Sequence, residues 1–63
     1  MPYLNSSAIR AVDYDPYTGT LDIQFASRRT YTYHGVPEYI YHGLISADSA
    51  GEFYNTYIKG RYA

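Results

Sequence analysis

The sequence predicts an α+β domain: a three-stranded antiparallel β-meander followed by two short α-helices packed on one face, in the order β-β-β-α-α. Three observations lead there. Residues T20-L-D-I-Q-F-A26 alternate apolar and polar, the sign of a half-buried strand. Turn residues close the segments on either side of it after short connections, which joins neighbours antiparallel. Beyond Gly35 the apolar spacing changes from that of a strand to that of a helix.

The elements follow in order. Residues 9–15, I-R-A-V-D-Y-D, read as a first strand. D15-P-Y-T-G19 then supplies an Asp to cap, a Pro to fix φ and a Gly for positive φ. In the second strand Leu21, Ile23 and Phe25 point one way, Asp22 and Gln24 the other. S27-R-R-T30 makes the next turn and Y31-T-Y33 the third strand. Residues 36–47 suit a helix with Pro37 in its first turn, where a missing N–H costs nothing. Ile40, Leu44 and Ala47 share one face of it, flanked by Tyr41 and Ile45. Gly43 in its middle costs about 1 kcal/mol relative to Ala and marks a close approach. D48-S-A-G-E52 opens the second helix through a capping box of Ser49 and Glu52. Phe53 and Tyr57, with Tyr54 and Ile58, supply its apolar stripe, and Gly60 ends it.

Sixty-three residues make a single domain, 1–63, near the lower limit for unaided folding, and with no cysteine neither a disulfide nor a thiolate metal site supports it. Ten tyrosines stand in for those supports. Each buries a large ring yet keeps a hydroxyl that needs a partner, which favours half-buried positions and self-association into a homo-oligomer. The formal charge of −1 disfavours binding driven by phosphate attraction alone. The N-terminus M-P-Y-L-N-S-S-A has neither the basic start nor the apolar run of a signal peptide, and no stretch approaches the roughly 20 apolar residues of a membrane helix. These features suit a cytoplasmic protein without membrane attachment.

In order along nearly the whole chain stand S6-S-A-I9, Y14-D-P16, L21-x-I-x-F25, Y31-x-Y33, V36-P37, Y41-x-x-L44 and S49-x-G-x-F-Y-N55, with Ile58 and Tyr62. This ordered set resembles the KTSC domain family, a module named for its place at the C-terminus of some lysyl-tRNA synthetases and also found alone in bacterial and phage proteins. The resemblance implies RNA binding, carries no catalytic residues or cofactor, and marks Tyr31, Tyr33, Pro37, Ser49, Gly51 and Asn55 as family positions of structural kind. The chain departs from the pattern at three places. Arg28 stands where the family often has Gly, and S49-A-G-E52 replaces the commoner S-K-G-R, which removes two basic positions at Ala50 and Glu52. The chain also stops at Ala63, soon after its last tyrosine.

The basic inventory is Arg10, Arg28, Arg29, Lys59 and Arg61. Arg28, Arg29, Lys59 and Arg61, with Tyr17, are the candidate contacts for a nucleic acid or a protein partner, since Arg meets phosphate and stacks on bases. Ordinary solvation of turn arginines is the bland alternative. Tyr31 and Tyr33 share a strand face and form either a stacking platform or part of the core; because their strand leads straight into the helix start at Pro37, the core is favoured. Glu38 and His42 form an i, i+4 pair, and with His34 isolated the ligands are too few for a metal site. Serines 6, 7, 27, 46 and 49 sit at turns or caps, Asp13 and Asp15 at a strand end before a proline, and the glycines are scattered. The expectation is a non-catalytic binding module. RNA is the ligand that the resemblance implies. The charge balance favours a protein-interaction module instead, or a homo-oligomeric inhibitor of phage type that binds a host protein or a small nucleotide.

Overall fold

The computed structural model describes residues 8–62. Its elements are β1 (Ile9–Asp15), β2 (Thr20–Phe25), β3 (Thr30–Tyr33), α1 (Glu38–Ser46), α2 (Ala50–Phe53) and a π-helix over Tyr54–Ile58. The sheet is antiparallel in the order β1-β2-β3, as the short connections require. Val12 pairs with Ile23 and Tyr14 with Leu21, while Ile23 faces Tyr31 and Leu21 faces Tyr33. One face of all three strands is therefore apolar. On the other face Asp13 lies opposite Asp22, whose Oδ1 accepts from the Thr32 hydroxyl at 2.6 Å.

Both turns are set by residues with positive φ. Gly19, at φ 73°, donates its N–H to the Asp15 carbonyl at 2.8 Å, and the Tyr17 N–H donates to Asp15 Oδ1 at 2.9 Å. Asp15 thus acts as a turn residue. The Gly19 carbonyl also accepts from Val36 N–H at 2.9 Å, and a Cβ on Gly19 would lie 3.3 Å from the Val36 backbone. Only glycine suits both the conformation and the approach. In the second turn Arg28 N–H donates to the Phe25 carbonyl, and Arg28 itself holds φ 71°. The position where the family often has Gly is indeed left-handed, and here an arginine occupies it.

A register shift between Ile9 and Ala11 lets Ile9, Ala11 and Val12 all be buried, an irregularity that the simple alternation did not foretell. The core joins Val12, Leu21 and Ile23 of the sheet to Val36, Ile40, Leu44, Ala50 and Ile58. The helices differ from expectation in four details. Pro37 caps α1 from outside, with extended ψ, and its carbonyl accepts from Ile40 N–H. Ala47 is not on the helix but adopts an extended conformation just past its end. The second helix starts as α, with Glu52 N–H on Ser49 Oγ at 3.3 Å, then widens at Tyr54, where Lys59 N–H reaches back to the Tyr54 carbonyl at 2.9 Å. Of the expected stripe, Ile58 lies in the core and Phe53 and Tyr54 pack partly buried against it, while Tyr57 is half exposed.

Candidate functional site

Phe53 and Tyr57 face α1, their rings 4.6 Å apart. Their approach to α1 is possible because Gly43 has no side chain: a Cβ there would stand 2.5 Å from Phe53 Cζ. The mid-helix glycine is thus the close approach the sequence announced. Above this floor opens a groove of about 540 Å³, lined by Tyr39, Gly43, Phe53, Tyr57, Arg61 and Tyr62 with Ile40 beneath. Its size lies within the usual range for a site that encloses a small ligand.

Two of the lining tyrosines are exposed. Tyr39 is 72% exposed and has neither a hydrogen bond nor a ring contact among the described residues; Tyr57 opposite is 48% exposed. Arg61 is anchored at its Nε, which donates to the Thr56 carbonyl at 3.3 Å. Among the described residues no acidic side chain lines the groove and Arg61 forms no ion pair. A guanidinium without an acidic partner among the described residues, beside exposed tyrosines, is suited to an anionic ligand with a planar ring.

The predicted site residues are dispersed. Arg61 lines the groove and Lys59 lies two residues before it in the turn after the π-helix. Arg28 and Arg29 sit in the β2–β3 turn, and Tyr17, 97% exposed, in the β1–β2 turn at the opposite end of β2. Six residues of strand separate those ends, on the order of 20 Å. Tyr39, Tyr57 and Tyr62 were not among the predicted contacts. The available signal was Tyr39 off the Ile40–Leu44 face of α1, combined with Gly43 opposite the second helix.

Among the family positions, Tyr33 is 9% exposed and Tyr31 48%. The expected core pair is therefore split. Tyr33 lies under the second helix, where its hydroxyl shares a 2.6 Å hydrogen bond with that of Tyr54; burial, then this bond, pushes its phenol pKa up. Tyr31 is half exposed and meets Phe25 edge-on. Pro37 and Ser49 cap the helices, Gly51 is half-buried in α2, and Asn55 is exposed on the π-helix. Tyr14 stacks on Tyr41 at 4.8 Å and donates to the Val36 carbonyl at 2.6 Å, tying β1 to α1. Glu38 and His42 pair at 3.6 Å on the exposed side of α1. Among the described residues no three His, Asp or Glu side chains gather as a metal site would require, and no helix is long and apolar enough to cross a membrane.

The meander, the paired helices packed on its apolar face and the groove between those helices define a small α+β protein of the β-β-β-α-α type. The chain belongs to the KTSC domain family, whose model matches residues 5–62. It is 39% identical over 62 residues to a protein of Tsukamurella paurometabola, covering 98% of this chain and 92% of the relative. It is 38% identical over 56 residues to a lysine–tRNA ligase of a Nostoc species, covering 89% of this chain but 10% of the ligase. A crystal structure of a KTSC domain protein from Yersinia pestis superposes with a TM-score of 0.95 at 40% identity, covering 98% of this chain and 87% of that one.

Proposed function

We propose that this chain is a small non-catalytic module that binds single-stranded RNA, with one unstacked base entering the groove between Tyr39 and Tyr57 and a phosphate meeting Arg61. The observation that carries the reading is the pair of exposed tyrosines lining the groove beside an arginine without an acidic partner among the described residues. Every base offers a π-face to such rings, and each stack contributes roughly 1–3 kcal/mol. Relatives named lysine–tRNA ligases contain a matching segment, which is consistent with an RNA ligand.

Fluorescence anisotropy with a labelled single-stranded RNA octamer tests this. Tyr39→Ala should weaken binding at least about fivefold, as loss of one stack requires. With one or two cations engaged, log K should fall with log salt at a slope of only about −0.7 to −1.4. Undiminished binding in both Tyr39→Ala and Arg61→Gln would exclude the groove. A protein contact is the second reading, favoured by Tyr17, which is almost wholly exposed at a turn tip. Sedimentation velocity over a concentration series, with Tyr17→Ser as control, separates self-association through that tip from a monomeric RNA binder.

A further inference from the structure

The charge map around the groove limits how much of a strand it holds. The Phe53–Tyr57 ridge is one wall, and on its far side lies a second hollow lined by Asp48, Ser49, Glu52 and Thr56. A phosphate leaving the groove over that ridge meets two carboxylates. The polar face of the sheet presents Asp13, Asp15 and Asp22 in a hollow with Thr18 and Thr20, so it too repels a backbone. Arg28 and Arg29 do not line the groove and lie in the β2–β3 turn, while Arg10 lies on β1. Among the described residues the only cation lining the groove is Arg61, with Lys59 close to it in the chain.

We infer that the groove is a one-nucleotide site. It takes a single base with its own phosphate from an RNA strand, and it provides no path for the neighbouring nucleotides. Proteins that bind single strands without sequence preference instead line a groove with cations along the backbone, so their affinity grows with length until the site is full. Here the aromatic walls supply the stack, Arg61 meets the phosphate, and Asp48 and Glu52 close the exit over the ridge. This rests on the RNA reading above and narrows it to a footprint.

Isothermal titration with uridine monophosphate and with oligouridines of two, four and eight nucleotides tests the footprint. The expected result is a mononucleotide that binds nearly as well as one unit of the octamer, with affinity rising only in proportion to the number of nucleotides offered. Asp48→Asn with Glu52→Gln should open the exit, so that the dinucleotide gains severalfold over the monophosphate. A tenfold or greater gain per added nucleotide in the unaltered protein would overturn the one-nucleotide site while leaving the RNA reading intact. Failure of every length, octamer included, would instead overturn the RNA reading itself.

Discussion

At the scale of single residues, Arg28 is the most informative. Left-handed backbone costs a side-chain-bearing residue roughly 1–2 kcal/mol, a cost that glycine escapes while adding freedom to the unfolded chain. Arg28→Gly should therefore stabilise the protein by about 0.5–1 kcal/mol, seen as a higher thermal midpoint. It should leave RNA affinity within about twofold, because Arg28 does not line the groove. Tyr33 gives a second residue-level test. With its phenol pushed up by burial and by the Tyr54 hydrogen bond, the folded state keeps a proton that the unfolded chain releases near pH 10. Above that pH the unfolded state binds fewer protons, so stability is full below about pH 10 and falls as pH rises further. Tyr33→Phe should reduce this alkaline loss in urea melts from pH 7 to 11. Tyr14, whose phenol is raised by burial and by the charges of Glu38 and Asp15, acts in the same direction.

At the scale of elements, Gly43 links stability to the groove. Alanine would add about 1 kcal/mol of helix propensity, yet its Cβ would occupy the place of the Phe53 ring. That ring borders the open groove, so it yields toward the ligand space. Gly43→Ala should change folding stability by less than about 1 kcal/mol while weakening RNA binding at least tenfold, measured by chemical denaturation and anisotropy on the same preparation. The elements themselves were largely legible. Leu21, Ile23 and Phe25 alternate, D15-P-Y-T-G19 carries its turn chemistry, and Ser49 caps the second helix, because each of these is fixed by neighbours in sequence. The π-helix was not legible. Its widening at Tyr54 brings that ring to Phe25 and Tyr33 across the chain, and no local spacing reports such contacts. Tyr31 failed for the same reason: the strand period gives its face, but how far the helices extend over that face is a tertiary matter. The groove was half visible, since Arg61 was singled out as a contact and Gly43 as a close approach, but nothing local showed that Tyr39 and Tyr57 flank the same opening.

At the scale of the whole molecule, the protein separates its charges and its rings. One sheet face and the hollow beside α2 are acidic, the two hairpin tips carry Tyr17 and the paired arginines, and the exposed tyrosines of the groove gather with Arg61 between the helices. With a net charge of −1, the proposed binding rests on stacking and one local cation more than on the field of the whole protein. The proposed site is therefore Tyr39, Gly43, Tyr57 and Arg61, which line the groove, rather than the β2–β3 turn. Nuclear magnetic resonance of the ¹⁵N-labelled protein, titrated with uridine monophosphate and then with a single-stranded RNA octamer, tests this most directly. The account predicts shifts concentrated at the amides of Tyr39, Gly43, Tyr57 and Tyr62 and at the Arg61 Nε–H. Shifts centred instead on Arg28 and Arg29, with the groove signals unmoved, would contradict it.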